Sequence, residues 1–135
     1  MKFECILYEV KNKVLTITLN RPERLNAYTG QMQADLIEAF DKAGKDDDIR
    51  VIIVTGAGRG FCAGADIKEL QENPSKITDV NDGCWKTARA IHVSNVPVIS
   101  ACHGFILGGG ILLAGVLVLY WAYDKVIGID NMKLG

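Results

Sequence analysis

Alternating hydrophobic and polar positions near the N-terminus predict a first strand and a first helix. In residues 14–19 apolar side chains alternate with threonine, which is the two-residue period of a strand with one buried face. Residues 20–22 end this strand, because proline cannot continue a hydrogen-bonded ladder. Thr29 is predicted to cap a helix that closes at Gly44, shortly before three consecutive aspartates. The apolar residues that recur at helical spacing in it are Met32, Leu36, Ile37 and Phe40.

The middle of the chain adds two strands and a second helix. Residues 51–55 form a continuous β-branched apolar run that leads into glycines, which is typical of a buried parallel strand. A helix is predicted from residue 82 to about residue 94. Its stripe of residues is Trp85, Ala88 and His92. Residues 97–101 form a further strand, and the order β-α-β-α-β-α implies a mostly parallel sheet or stacked βαβ turns.

Length, charge and cysteine usage limit the class of protein. The 135 residues suit one domain, and fifteen Lys plus Arg against sixteen Asp plus Glu form no basic stripe, so nucleic acid is not expected as a partner. The four cysteines are far apart and form no C-x-x-C pair, so neither a zinc site nor a disulfide framework is indicated. Glu4 stands where a signal peptide would begin its apolar core, which favours a cytoplasmic location with reduced thiols.

One uncharged stretch raises a membrane alternative. Residues 105–123 carry no charge, and about eighteen such residues are the usual sign of a membrane span. Against a span, the stretch contains glycines at residues 108–110 and at Gly115, and no cluster of Lys or Arg flanks either end. We therefore favour a protein without a membrane partner and keep a small membrane protein as an alternative.

A glycine-rich turn after residues 51–55 raises a second alternative. Residues 58–63 fit the pattern G-x-G-x-x-A, in which glycines let a pyrophosphate approach a helix N-terminus. An oxidoreductase that binds NAD(P) and resembles the short-chain dehydrogenases is therefore an alternative. Against it, Cys62 stands where those enzymes have a further glycine. Their Tyr-x-x-x-Lys pair is also missing, since Asp124 follows Tyr120 at that spacing.

Four longer sequence blocks occur in a fixed order along the chain. They are residues 19–27 (LNRPERLNA), residues 49–56 (IRVIIVTG), residues 60–67 (GFCAGADI), and residues 97–99 (PVI) with 104–110 (GFILGGG). Together they resemble the successive signature segments of the crotonase superfamily, which includes the enoyl-CoA hydratase/isomerase family. The resemblance implies an α/β fold of the ClpP/crotonase type, a spiral of stacked β-β-α turns. Residues 1–135 are then expected to be the N-terminal half of that domain, truncated before the C-terminal half.

The resemblance also implies a site for an acyl-CoA thioester. In this family two backbone N–H groups form an oxyanion hole that stabilises the enolate, and these donors would be Ala65 and Gly109. Residues 66–68 would line the CoA adenine and pantetheine, and Arg24 would meet a phosphate. CoA enters only as part of the substrate, with no separate cofactor and no metal ion. The residues implied for substrate or CoA binding are Arg24, Leu25, Ala27, Ala63, Ala65, Asp66, Ile67, Lys68 and Gly109.

The chain departs from the family at the positions of its catalytic acids. Hydratases of this family use two glutamates to activate and deliver water, and Leu112 occupies the first of these positions. The second belongs to a segment beyond residue 135, and residues 115–121 resemble additional apolar sequence. The resemblance therefore predicts thioester binding and leaves open hydration, isomerisation or a non-catalytic remnant or interaction protein. The expected protein partner is a further copy, in a trimer or hexamer as in the family, or a complementing C-terminal half.

Overall fold

The fold is known from a computed structural model that describes residues 2–107. Its strands are β1 (Ile6–Lys11), β2 (Val14–Leu19), β3 (Val51–Gly56), β4 (Gly60–Cys62), β5 (Val98–Ser100) and β6 (Phe105–Ile106). Its helices are α1 (Gly30–Gly44), α2 (Ile67–Glu72) and α3 (Lys76–His92), and a 3₁₀ helix spans Pro22–Arg24. Gly109 and Leu112 lie outside the described residues, so the expectations for them stay predictions.

A four-stranded sheet in the order β1-β2-β3-β5 supports the described part of the chain. β2, β3 and β5 are mutually parallel, whereas β1 is antiparallel to β2. Along β2 every second side chain is fully buried, as the alternation with threonine predicts. β3 lies between two parallel neighbours and shows the same alternation of buried and half-buried side chains. The predicted central parallel strand and the predicted strand at residues 97–101 are therefore confirmed.

The sequence pattern did not indicate strand β1. It joins β2 through a two-residue turn at Asn12 and Lys13, whose φ angles are +53° and +67°. Two consecutive positive φ angles are the geometry of a type I′ hairpin turn, which matches the twist of the flanking strands. The usual sequence signal for this turn is Asn-Gly. Here lysine occupies the second position, so the sequence lacks the usual signal for this hairpin.

Two strand pairs repeat along the chain in the same arrangement. β3 leads through a short turn into β4, and β5 leads through a short turn into β6. Because β5 pairs in parallel with β3 and β6 pairs in parallel with β4, the second pair stacks on the first one turn later. Helices α2 and α3 connect the two turns. The simple order β-α-β-α-β-α is therefore wrong, since strands of two or three residues are too short to produce a period in the sequence.

The main core lies between the sheet and α1. The hydroxyl of Thr29 accepts a hydrogen bond from the N–H of Met32 at 3.2 Å, and the helix ends at Gly44, so both predicted ends are confirmed. Met32 and Leu36 are fully buried in the core. Burial of each such side chain stabilises the fold by about 1.5–3 kcal/mol.

Helix α3 packs on α1 and differs from its prediction at its start and its packing face. It begins at Lys76, six residues before the predicted start. Its buried side chains are Val80, Thr87 and Ile91. Ala88 of the predicted stripe packs against the core, but Trp85 is 61% exposed, so the predicted stripe coincides with the packing face only in part. Because the helix begins earlier than predicted, it includes Val80, the first residue of the packed stripe.

No helix within residues 2–107 is both long enough and apolar enough to cross a membrane. Most of the uncharged stretch at residues 105–123 lies outside those residues, and the alternative raised for it stays a prediction.

Gly104 provides a test of the pairing between β4 and β6. It precedes β6 with a φ of +59°, and a Cβ there would collide with the carbonyl oxygen of Arg59. We expect Gly104→Ala to lower the free energy of unfolding by about 2–4 kcal/mol, because left-handed strain adds to a backbone clash. Urea denaturation measures this loss.

The matched control is Gly30→Ala in α1, where nothing lies within 4 Å of the added Cβ. This variant should leave the free energy of unfolding unchanged or raise it by up to about 1 kcal/mol. An equal loss in both variants would contradict the packing described for β4 and β6.

Candidate functional site

Two of the predicted segments lie side by side in the structure. Residues 25–28, after β2, pair in parallel with residues 63–66, between β4 and α2. Three backbone hydrogen bonds join them: Ala63 N–H to Leu25 O (3.0 Å), Tyr28 N–H to Gly64 O (2.6 Å) and Asp66 N–H to Tyr28 O (2.8 Å). The fold thus brings together candidate residues that are far apart in the sequence.

Ala65 lies at the centre of this pairing and forms a bridge with Tyr28. In this parallel bridge Tyr28 makes its hydrogen bonds with Gly64 and Asp66, the residues on either side of Ala65. The N–H of Ala65 therefore points away from the Tyr28 segment. Within residues 2–107 this N–H has no hydrogen-bond acceptor. Gly64 precedes it with a φ of +93°, which glycine adopts without strain. A half-buried backbone donor without an acceptor is suited to an oxyanion.

Asn26 holds the paired segments in place. Its side chain is fully buried, its Nδ2 donates to the carbonyl oxygens of Ala57 and Gly60 at 2.9 Å each, and its Oδ1 accepts from the N–H of Arg21 at 2.8 Å. Both the amide N–H groups and the carbonyl of this side chain are therefore satisfied. This one side chain ties the residue 25–28 segment to the glycine-rich turn.

The glycine-rich turn at residues 56–60 is filled by protein groups and leads into a strand. Besides Asn26, His103 reaches it, with Nε2 2.9 Å from the carbonyl oxygen of Gly58. The next element is β4, whereas dinucleotide binding uses a helix N-terminus at this point. The turn therefore lacks the geometry on which the NAD(P) alternative depends.

Asp66 has a structural role that the sequence did not reveal. Its carboxylate caps α2 by accepting from the N–H of Glu69 at 3.2 Å, and it forms an ion pair with Arg21 at 3.1 Å. Burial alone raises the pKa of Asp66. The hydrogen bond from Glu69 and the Arg21 guanidinium outweigh burial, however, and hold the pKa below its ordinary value of 3.8. The carboxylate is thus already engaged by the protein.

Three of the implied CoA contacts are exposed around the pairing. Arg24 ends the 3₁₀ helix, and Ile67 and Lys68 begin α2. Ile67 is 68% exposed, which leaves an apolar side chain open to a ligand. Arg24 lies near enough to Asp66 to lower the pKa of that carboxyl.

The remaining implied contacts within the described residues belong to the two paired segments and are less exposed. Leu25 and Ala63 are half-buried and Ala27 is buried, and the carbonyl oxygen of Ala27 accepts from Arg21 Nη1 at 2.7 Å. Gly109, the second implied oxyanion donor, lies outside the described residues.

A cavity of about 390 Å³ opens beside Ala65. Tyr28 and Ala65 line one side, and α3 lines the other with Val80, Asn81, Cys84, Trp85 and Ala88. Its lining is mainly apolar, with a few polar side chains, as is usual for sites that hold small organic groups. Ala65, whose N–H has no acceptor within residues 2–107, is thus part of the cavity wall.

Burial keeps the titratable groups of this region protonated. Burial raises the pKa of the Tyr28 phenol well above its ordinary value of 10.0, and raises the pKa of Cys62 to about 11. The pKa of Cys84 is also raised by burial, although Gln33 donates a hydrogen bond to its sulfur. None of the three is a base or nucleophile at neutral pH. Within residues 2–107, no group of three or more His, Cys, Asp or Glu side chains is placed to hold a metal ion.

Several site residues escaped the sequence analysis. Tyr28 directly follows the signature block at residues 19–27, and extending that block by one residue would have included it. On α3, Trp85 and Ala88 of the cavity were already on the predicted stripe. Val80 and Asn81 precede the predicted start of the helix and join it only because it begins at Lys76. Arg21 and Asn26 lie inside the block, but no local pattern indicates their distant hydrogen-bond partners.

Comparisons with known proteins place these features in a family context. The family model described as "Enoyl-CoA hydratase/isomerase" matches residues 9–135. The chain is 38% identical over 125 residues to the Mycobacterium tuberculosis protein named (7aS)-7a-methyl-1,5-dioxo-2,3,5,6,7,7a-hexahydro-1H-indene-carboxyl-CoA hydrolase, covering 90% of this chain and 50% of that protein. It is 40% identical over 116 residues to the 1,2-epoxyphenylacetyl-CoA isomerase of Escherichia coli, covering 82% of this chain and 44% of the relative.

A solved structure shares the fold of the described residues. The crystal structure of an enoyl-CoA hydratase/carnithine racemase from Magnetospirillum magneticum superposes with a TM-score of 0.78 at 34% sequence identity. The match covers 85% of this chain and 45% of that one. The chain thus spans about half the length of the relatives it matches.

The ion pair of Asp66 predicts a pH-dependent contribution to stability. Because the pKa of this carboxyl is lower in the folded protein than its ordinary value of 3.8, the pair stabilises the fold above that value and is lost as the pH falls through the lowered native pKa. We expect Asp66→Asn to lower the free energy of unfolding by about 1–2 kcal/mol at pH 7. Asparagine still caps the helix, so the charge is what changes.

Urea denaturation at several pH values measures this effect. The difference between the natural protein and Asp66→Asn should shrink as the pH falls below 3.8. Asp41→Asn is the matched control, because Asp41 forms an exposed ion pair with Lys45 and should change stability little at any pH. A difference for Asp66→Asn that is constant down to pH 2 would contradict the assignment.

Proposed function

The chain belongs to the enoyl-CoA hydratase/isomerase family of the crotonase superfamily, and from that premise we propose that it binds an acyl-CoA thioester through the backbone N–H of Ala65. The thioester carbonyl accepts a hydrogen bond from this N–H, and the acyl group enters the adjoining cavity. The second donor is Gly109, as the resemblance implies. CoA is part of the substrate and not a separate cofactor.

The observation that carries this proposal is the position of Ala65 at the cavity. The N–H of Ala65 has no acceptor within residues 2–107, and Ala65 itself lines the space of about 390 Å³. When a proton leaves the carbon next to a thioester, negative charge develops on the carbonyl oxygen. A preorganised amide aimed at that oxygen stabilises the enolate without reorganisation.

The exposed residues near Ala65 suit the CoA moiety. Arg24 offers a guanidinium to a phosphate, and Lys68 offers a second cation. Ile67 offers an apolar surface on which the adenine packs. Asp66 contributes through its backbone and through the shape of the α2 terminus, because its carboxylate is engaged by Arg21.

Polarisation of the thioester and transfer of a proton are separate tasks at this site. Among the described residues of the cavity, Tyr28 and Cys84 are titratable, and their raised pKa values exclude both as bases at neutral pH. Leu112 stands where the resemblance expects the first glutamate. We therefore propose binding and polarisation as the function of this chain. Turnover as a hydratase or isomerase requires a general base from elsewhere.

The substrate class follows the acyl-CoA chemistry of the family. Two of the relatives are named for CoA thioesters whose acyl groups contain rings and oxygen atoms. We extend this class to the present chain as a proposal. Assembly into a homo-oligomer, or with a complementing C-terminal half, and a cytoplasmic location stay predictions.

Calorimetry with defined ligands tests the proposed class of ligand. We expect butyryl-CoA and crotonyl-CoA to bind to the purified chain, and NAD⁺ and NADP⁺ to give no heat of binding. Free CoA is the control that separates recognition of the CoA moiety from recognition of the thioester. Binding of NAD⁺ or NADP⁺ without binding of either thioester would refute the proposal.

Replacement of Ala65 tests the oxyanion donor directly. Ala65→Pro removes the N–H but breaks no hydrogen bond of the parallel pairing, since that N–H makes none within residues 2–107. In the natural protein, we expect bound butyryl-CoA labelled with ¹³C at its carbonyl to show a lowered C=O stretching frequency. Infrared difference spectroscopy should show a smaller lowering in Ala65→Pro. Where turnover is measurable, loss of one donor should cost about 3 kcal/mol or more of transition-state stabilisation, and Gly109→Pro should act alike.

Ala65→Gly is the matched control, because it keeps the N–H and removes only the methyl group. It should retain the frequency shift of the natural protein. Urea denaturation of all variants establishes that they fold. An unchanged C=O frequency in folded Ala65→Pro would contradict the role of Ala65.

A further inference from the structure

Two large apolar side chains of helix α3 are exposed beside the cavity. Trp85 is 61% exposed and Ile77 is 55% exposed, although both are side chains whose burial is favourable. Trp85 also lines the cavity of about 390 Å³. A side chain that lines a cavity and also reaches solvent lies at its rim. The indole therefore forms part of the cavity mouth.

Helical spacing joins these two side chains into one line. Ile77, Asn81 and Trp85 recur at intervals of four residues on α3. Ala88 follows three residues later, so these side chains lie along one side of the helix. The last three of them line the cavity, and Ile77 extends the line by about one helical turn. We call this set of residues the rim stripe.

Contacts with α1 fix the orientation of α3. Gln33 of α1 is buried, and its Nε2 donates to the carbonyl oxygen of Val80 at 3.1 Å and to Cys84 Sγ at 3.3 Å. A Cβ at Gly83 would collide with Gln33 Oε1, so the two helices approach closely at this glycine. Rotation of α3 to bury the rim stripe would break these contacts. The stripe is therefore held at the surface.

The rim stripe is uncharged, and its charged neighbours are paired with one another. Lys86 Nζ lies 2.7 Å from Asp82 Oδ2, and Lys76 Nζ lies 3.0 Å from Glu69 Oε1. An ionic group would leave water here without a counter-charge in the stripe, whereas a hydrocarbon chain gains by covering apolar side chains. The stripe therefore suits an apolar occupant.

We propose that the rim stripe carries the distal part of a long acyl chain, so that Trp85 selects CoA thioesters whose acyl group extends in an apolar tail beyond the cavity. This inference rests on the proposed function. The acyl group starts at the thioester beside Ala65, fills the cavity and leaves it across the indole. From Ile77 to Ala88 the stripe measures about 16 Å at the rise of an α-helix, close to the length of an extended chain of about twelve carbons.

Calorimetry with thioesters of increasing chain length tests this selection. The probes are butyryl-CoA, octanoyl-CoA and dodecanoyl-CoA, each below the concentration at which it forms micelles, with free CoA as the reference. For the full chain we expect a dissociation constant about tenfold lower for dodecanoyl-CoA than for octanoyl-CoA, because the added methylenes leave water. Trp85→Ala should remove most of this difference and keep the affinity for butyryl-CoA.

Val93→Ala is the matched control. Val93 is 59% exposed at the C-cap of the same helix, and it lines a separate cavity between the ends of α1 and α3. The variant thus removes exposed apolar surface away from the rim stripe and should keep the preference for dodecanoyl-CoA. Urea denaturation of both variants establishes that they fold.

The outcomes separate this inference from the proposed function. Equal affinity of the natural protein for octanoyl-CoA and dodecanoyl-CoA, or a preference that survives in Trp85→Ala, would overturn the role of Trp85 alone. An equal loss of affinity for free CoA in Trp85→Ala would assign the indole to the CoA moiety and also overturn it. So would a homo-oligomer that Trp85→Ala dissociates, in analytical ultracentrifugation, with all affinities unchanged. Failure of every thioester to bind would overturn the proposed function and this inference with it.

Discussion

The parallel pairing of residues 25–28 with residues 63–66 is the interaction on which the described site depends. It joins the loop after β2 to the segment before α2, and it directs the N–H of Ala65 to the outer side. Asn26 stabilises this arrangement by satisfying two carbonyl groups of the glycine-rich turn. Each of these buried groups would lose about 1–3 kcal/mol if left without its partner. The donor is therefore fixed before a ligand arrives, which is what makes a backbone amide effective toward developing charge.

The charged residues around this pairing divide into two groups with different roles. Arg21 and Asp66 are largely buried and satisfy one another, and they hold the start of α2 against the loop after β2. Arg24 and Lys68 are exposed, so they keep their hydration until a ligand replaces it. A cation that already forms an ion pair inside the protein attracts a phosphate only weakly. The exposed pair is therefore the part of the surface suited to CoA.

The described residues favour polarisation of a substrate over proton transfer. The proposed oxyanion donor is a backbone group and depends only on the path of the chain, which the parallel pairing defines. Proton transfer needs a side chain whose pKa lies near neutrality, and burial moves Tyr28, Cys62 and Cys84 away from it. Tyr28 therefore keeps its proton at neutral pH.

Sequence alone determined the central strands, both ends of α1, and the family to which the chain belongs. Strand β2 and helix α1 each extend over enough residues for a period to appear, and β3 is a continuous apolar run. The cap at Thr29 is a local hydrogen bond. The candidate segments around Leu25 and Ala65 were identified by resemblance, and the fold brings them together.

Only the tertiary structure decided which groups remain available at the site. It showed that the carboxylate of Asp66 is paired with Arg21 and that Tyr28 and α3 line one cavity. It also showed that Trp85 is exposed and lies off the packing face of α3. These features arise from contacts between distant residues, such as Asn26 with Gly60 and Gln33 with Cys84. A period in the sequence records which face of an element is buried. It does not record which polar group will meet which partner once that face is covered.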